Sequence, residues 1–524
     1  MAQFTFPRLI LGSALVLASG AAAFAQSPGP SRPVVRTVAP AQTASSAYPQ
    51  APAQPAPMVQ PLVEVNLRAD QIGLIRRALD EAGAHGLDPA AYVRPGLDND
   101  LNGRDPARRR QAMMQLSEGL MAYAQAVHAG RLLPNQFVAD WGLRPAPFDP
   151  RPGFIAAVQQ DRLQDWLASL PPPYAGYDSL RQGLLTYRGV VAAGGWRAVP
   201  EGPALKLGDS DPRVALLKAR LAVEDSAVQA DGATTFDETV EQALARSQKR
   251  YGLKPDGVVA GSTLAALNVP AQRRLDQITA NLERWRWLPA TLPADRIQVN
   301  IAAAVLTVFH EDTPTLSMRA VTGRPGDETP MLQSQVQSIV FNPPWNVPSS
   351  IATKELWPKE RANPGYLAKR SITIINLPGG GTRLQQKAGD ASALGRIKFD
   401  FPNTYGVYLH DTPSHGTFGT YSRMVSHGCV RLEKPMDLAK SVLAADPRWA
   451  DDAVEQTIAA GDTIRAPLPQ PIAVFLLYWT AYLAPDGSVN FRDDPYSWDK
   501  ELARRLALAP MAPSSAPVSA VAAL

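Results

Sequence analysis

Along the chain the spacing of apolar positions changes near residue 296. Before it, apolar residues recur three and four apart, the mark of helices with one buried face. In "ADQIGLIRRALDEAGAHG" Ile72, Ile75, Ala78 and Leu79 share a face, and Asp70 stands where a cap would. "RDPARRRQAMMQLSEGLMAYAQAVHAG" predicts a second helix, ended by Gly130. Residues 63–202 read in this way as a helical scaffold. Residues 203–270 read as a compact three-helix module. "DSDPRVALLKARL" opens with capping residues and a proline in the first turn. "FDETVEQALARSQKRYG" puts Phe236, Val240, Leu244, Ser247 and Tyr251 on one face and stops at Gly252. "PDG" at 255–257 is a turn, and "STLAALN" begins the third helix. A generic helical spacer would show the same spacing.

After 296 the runs are short and β-rich: "IQVNI", "VLTVFH", "LSMRAVTG" and "QVQSIVF". A loop and helix, "NPPWNVPSS" and "IATKELWPKERANPGYLAKR", interrupt them before "SITIINL", "GVYLHD" and "GCVRL". "VFLLYWTAYL-APDG-SVNF" predicts a hairpin. The expectation is a mostly β domain over 295–468, with an insertion at about 330–400 that covers a site. A C-terminal hairpin and helix over 469–510 would pack on its core. The fold class is therefore multidomain α+β.

The ends differ in composition. Arg8, the apolar run "LILGSALVLASGAAAF" and Ala23-Phe24-Ala25 make residues 1–25 an export signal, cleaved before Gln26 or retained as a membrane tether. Residues 26–62 are rich in Pro, Ala, Gln and Ser and read as a flexible linker, with a similar tail over 511–524. Either fate of the signal places the remainder outside the cytoplasm, in the periplasm or cell envelope. A net charge of +4 over 524 residues, with no basic block, gives no reason to invoke nucleic acid.

Export sharpens the meaning of one residue. Cys429, in "SHGCVR", is the single cysteine, so no internal disulfide can form. Three of the six histidines (His410, His415 and His427) lie within the preceding 19 residues. A nucleophilic thiol needs a base or a stabilising cation, and backbone N–H groups aimed at the oxyanion. Gly428 allows close backbone approach. If 427–432 is extended, His427, Cys429 and Arg431 share a face; if 407–410 is a strand, so do Tyr408 and His410. Any of the three histidines could be the base. His85 and His128 read as surface or packing residues.

"YGVYLHDTP", followed by "SHGCVRLEKP", resembles the L,D-transpeptidase (YkuD) catalytic domain. "GDETPML", "FNPPWNVP" and "ALGRIKFDFPNTYGVYLHDTPS" extend the resemblance, and with the helical regions the chain is similar to the large YcbB-type branch. The 203–270 module resembles the small peptidoglycan-binding module of wall enzymes. The resemblance implies that Cys429 is the nucleophile and His410 the base, oriented by the backbone carbonyl of Asp411. Gly428 and Cys429 N–H groups would form the oxyanion hole. Tyr408 and Arg431 would line the site, with His427 less securely placed because this branch can carry serine there. Trp345 would be a lid residue. The implied substrates are peptidoglycan stem peptides, a donor tetrapeptide and an acceptor stem, joined 3→3 with loss of D-alanine. No cofactor and no metal is implied, and carbapenems would acylate the cysteine. Three rivals stay open: zinc held by His410, Asp411, His427 and Cys429; a non-catalytic wall-binding protein; and an L,D-carboxypeptidase on the same fold.

Overall fold

The computed structural model describes residues 65–484 and 486–508. The signal, the linker and the 511–524 tail lie outside the described residues. No described helix is long and apolar enough to cross a membrane.

The N-terminal helices are set by their caps. Asp105 accepts from the backbone N–H of Ala107 and Arg108, Pro106 fills the first helical position, and the helix Pro106–Ala129 ends at Gly130 with φ +87°. Asp70 does not cap. The helix Ala69–Asp80 begins two residues earlier than a cap at Asp70 would set, at an Arg68 cap, and the Arg68 guanidinium holds the Asp70 carboxylate at 2.8 Å. The helices Pro212–Ala222, Glu238–Arg250 and Gly261–Leu267 form the small module. Phe236, Val240, Leu244 and Tyr251 are all buried, as their common face predicts.

Fourteen strands follow. The first four are β1 (Asp295–Asn300), β2 (Val305–His310), β3 (Thr313–Gly323) and β4 (Leu332–Phe341). The insertion contributes β5 (Trp345–Asn346), β6 (Ile372–Asn376) and β7 (Thr382–Gln386). Then come β8 (Ile397–Asp400), β9 (Leu409–His410), β10 (Met424–Ser426), β11 (Val430–Leu432), β12 (Ile464–Leu477), β13 (Ala481–Leu483) and β14 (Val489–Phe491). Nine of them form one sheet in the order β10-β3-β11-β9-β8-β4-β12-β1-β2, and an added β2–β3 pairing closes it into a barrel. Ile297, Val299, Ile339, Phe341, Phe399, Leu409, Val430 and Phe475 fill the interior.

Two sequence expectations are corrected here. The boundary at 468 falls inside β12, which pairs with β4 over Ile464–Pro467 and again over Ile472–Leu476. Prolines 467, 469 and 471 concealed this strand, and the register shift between Pro467 and Ile472 accommodates them. The run "VFLLYWTAYL" is accordingly divided: its start ends β12, and only β13 and β14 make the hairpin.

Residues 342–396 leave the barrel between β4 and β8 and fold around Val347, Leu356, Leu367, Ile372 and Leu384. Asn342 fastens the two ends of this insertion. Its backbone N–H donates to Arg396 O at 2.8 Å, and its side-chain oxygen accepts from the Arg396 guanidinium at 3.1 Å. Its φ of +46° suits asparagine better than most residues.

The helix Ala271–Trp285 joins the small module to the barrel, and its last turn carries buried polar groups. Glu283 accepts from Arg131 N–H at 2.7 Å and pairs with Arg286 at 2.8 Å. Arg286 donates to His85 O at 2.5 Å, so the carboxylate binds the N-terminal helices to the barrel. His85 itself is a packing residue, hydrogen-bonded to Tyr177 OH at 3.0 Å and pushed down to about 3 by burial and by Arg181 and Arg286. Glu283→Ala, which strands a buried guanidinium, is expected to destabilise the protein by about 3–5 kcal/mol, read from denaturant or thermal unfolding.

Candidate active site

β9 and β11 are two and three residues long and pair in parallel, with Val430 opposite Leu409 and Arg431 opposite His410. A parallel pair requires a long crossover. Residues 411–429 supply it, and this is why the histidine and the cysteine stand 19 residues apart. β8 flanks β9 on its other edge, with Lys398 opposite His410. Lys398, His410 and Arg431 therefore lie side by side on three strands. Their neighbours Ile397, Phe399, Leu409, Val430 and Leu432 point into the barrel, and alternation sends the polar set to the opposite face.

His410 is buried, and its Nδ1 lies 2.5 Å from Asp411 O. A carbonyl only accepts, so Nδ1 bears the proton and Nε2 is left with its lone pair. The Asp411 carboxylate acts elsewhere, accepting from Arg396 N–H at 2.8 Å and Thr412 N–H at 2.7 Å. Burial, then the charges of Arg431 and Lys398, push the imidazole down to about 3 against the opposing pull of the Asp411 carbonyl.

Residues 426–429 form a tight turn in which Gly428 has φ +102°. A side chain there would be strained and would also meet Glu328 O at 3.2 Å. Ser426 Oγ donates to Cys429 O at 2.6 Å and accepts from Gly428 N–H at 3.2 Å, while Thr329 Oγ1 donates to Gly428 O at 2.7 Å. Burial pushes the Cys429 thiol up; hydrogen bonds from Tyr408 and the charges of Lys398 and Arg431 oppose it. The Tyr408 hydroxyl also reaches Cys429, and burial raises it well above the usual phenol range. Its ring stands edge-on to His410 at 5.6 Å, with the Lys398 ammonium 4.3 Å from its centre. The Trp345 indole lies near the same hydroxyl. Arg431 is half-buried beside Cys429 and forms no ion pair with a carboxylate among the described residues.

The structure thus gathers Cys429, His410, Asp411, Gly428, Tyr408, Arg431 and Trp345. It does not bring His427 onto the same face as Cys429. The turn at Gly428 breaks the extended run, and His427 Nε2 lies instead 2.5 Å from Glu355 Oε1 in the insertion. His415 is exposed on the short helix His415–Gly419, its ring near Phe418. Among the described residues no group of His, Cys, Asp or Glu is arranged to hold a metal ion. Asp411 is committed to backbone N–H groups and His427 to Glu355, which removes two of the four ligands a zinc reading requires. Sequence reasoning missed Lys398, whose signal was its place between Ile397 and Phe399 in the strand "IKFD". It also missed Glu355, which had no local signal.

Three family models match the chain: "L,D-transpeptidase catalytic domain" over residues 294–454, "Scaffold domain" over 66–184 and "Putative peptidoglycan binding domain" over 210–267. A Haemophilus influenzae protein described as "Putative L,D-transpeptidase" is 32% identical over 242 residues, which are 43% of this chain and 48% of that protein. The chain thus spans about half the length of this relative. An L,D-transpeptidase structure from Xylanimonas cellulosilytica is 16% identical, covering 53% of this chain and 99% of that one at a TM-score of 0.18. One from Stackebrandtia nassauensis is 14% identical, covering 54% and 97% at a TM-score of 0.21. Superpositions of that quality carry no structural argument.

Because the thiol is raised by burial, its alkylation by iodoacetamide is expected to have a pH midpoint above the ordinary thiol value of about 8.5. Arg431→Leu removes a cation that opposes the shift and is expected to move the midpoint higher still. Mass spectrometry of the single cysteine at a series of pH values reads both directly.

Proposed function

Since the chain carries an L,D-transpeptidase catalytic domain together with scaffold and peptidoglycan-binding domains, we propose that it cross-links peptidoglycan stem peptides 3→3 through a Cys429 thioester. The observation that carries this reading is the parallel β9–β11 pairing, which sets an anchored imidazole beside the strand that follows the lone cysteine.

In the first step His410 Nε2 takes the thiol proton as Sγ attacks the carbonyl of the third residue of a donor tetrapeptide. The oxyanion forms against Cys429 N–H, which has no acceptor among the described residues, and against Gly428 N–H as it leaves Ser426 Oγ. Collapse breaks the peptide bond, and the departing D-alanine amine takes the proton from His410. In the second step an acceptor-stem amine attacks the thioester, His410 receives its proton, and the thiol is restored. Arg431, with no carboxylate partner among the described residues, suits a carboxylate of the donor. Binding that carboxylate would offset one of the charges that hold His410 low and so raise its basicity when substrate is present.

The insertion bears on the choice between amine and water. Trp345 of the insertion lies near the Tyr408 hydroxyl beside the nucleophile, which supports a reading in which the inserted segment limits water at the thioester. Transfer to an amine is favoured over carboxypeptidase activity on that ground. The peptidoglycan-binding domain would hold the same polymer, which places the work of the protein in the cell envelope. Carbapenems would acylate Cys429 as pseudo-substrates.

Intact-protein mass spectrometry with a disaccharide-tetrapeptide tests the reading. The expected result is an adduct that lacks D-alanine, absent in Cys429→Ala, followed by a 3→3 dimer. An adduct that decays only to tripeptide would make the protein a carboxypeptidase, and an active Cys429→Ala variant would exclude the mechanism.

A further inference from the structure

Glu355 lies in the insertion, 74 positions before the cysteine in sequence, on a π-helical turn, Ala352–Leu356. Such wide turns interrupt α-helices mostly at functional sites. Pro358, two residues beyond, has no N–H to continue the α-helical ladder. The turn directs Glu355 away from the insertion's own core, in which Ala352 and Leu356 are packed.

Three basic side chains surround the carboxylate: His427, with Nε2 at 2.5 Å, Arg324 at 3.5 Å and Lys359 at 4.0 Å. Each belongs to a different segment. His427 opens the nucleophile turn, Arg324 belongs to the 324–329 turn, and Lys359 is on the next turn of the insertion helix. The 324–329 turn also grips the nucleophile turn from behind, through Thr329 Oγ1 to Gly428 O. Arg324 is fixed in that turn by Asp327 at 2.7 Å. Glu355 is thus where the insertion, the nucleophile turn and its supporting turn meet. The peptide groups that supply the proposed oxyanion donors follow His427 directly.

We propose that Glu355 is a positioning residue for acyl transfer: through His427 and Arg324 it holds the 426–429 turn, so the oxyanion donors are aligned only while the insertion is seated. This inference rests on the cysteine acyl-transfer reading above. It gives the insertion a second task besides screening the site, since its departure would slacken the turn as well as admit water.

Two reagents separate this role from a merely structural one. Carbapenem acylation of Cys429 passes through an oxyanion, whereas iodoacetamide alkylation does not. Glu355→Gln is expected to slow imipenem acylation about tenfold while leaving iodoacetamide alkylation and the melting temperature near wild type. His427→Gln should act alike, and the double variant should be no slower than either single one. His427→Lys, which places an ammonium donor opposite Glu355, should recover most of the rate. Equal losses with both reagents, or an unchanged acylation rate in Glu355→Gln, would overturn the proposal. Additive losses in the double variant would overturn the route through His427. A wild-type protein that alkylates but never acylates would instead remove the acyl-transfer reading on which the proposal stands.

Discussion

The site depends on one short pairing, β9 against β11. Two strands of two and three residues cannot hold together alone, since even an isolated hairpin is marginal in water. They persist because each is a middle strand: β8 lies outside β9 and β3 outside β11. The inward residues of these strands, among them Leu409, Val430 and Leu432, are wholly excluded from solvent. Barrel packing therefore fixes the register, and the register fixes which side chains stand beside His410. A slip of one residue would turn His410 and Arg431 into the barrel. Catalytic geometry and core packing are here a single constraint.

The same constraint explains the electrostatics. Burial disfavours charge on both the thiol and the imidazole, so the free site rests as a neutral pair with two cations beside it. A thiolate–imidazolium pair formed in advance would be more reactive toward any electrophile. A ligand whose charge offsets Lys398 or Arg431 would change that balance. Lys398 is already engaged by Asp400 at 2.6 Å, which leaves Arg431 as the more available partner. A thiol is also slower to oxidise than a thiolate.

Much of this was legible in the sequence, for identifiable reasons. The helices are bounded by local signals, such as Asp105, Pro106 and Gly130, that act within a turn. The cysteine, the histidine and the glycine between His427 and Cys429 stand in a short motif whose chemistry depends on residue type. What was not legible depended on long-range pairing or on the exact conformation of a turn. The strand β12 was hidden by prolines that edge positions and a register shift tolerate. His427 was placed beside Cys429 by assuming an extended run, but Gly428 at φ +102° turns the chain there. Glu355 left no trace, because its partners outside the insertion, Arg324 and His427, lie 31 and 72 residues away. The signal, linker and tail fall outside the described residues.

The small helical module adds a last step. It reads in sequence as a separable bead, yet its core is not its own. Val214, Leu217, Phe236, Val240 and Leu244 share one cluster with Tyr177, Leu180 and Leu184 of the N-terminal helices and with Ala481 and Phe491 of the hairpin. Phe491 stands 5.3 Å from Tyr187 and 6.3 Å from Tyr251, a ring from each of the other two parts. A module tied in this way cannot swing freely on a linker, because movement would open apolar surface at about 25 cal/mol per Å². The module is therefore held at a fixed offset from the barrel. The buried Glu283–Arg286 pair, at the end of the helix that leaves the module, ties that same helix to the N-terminal helices through Arg131 N–H and His85 O.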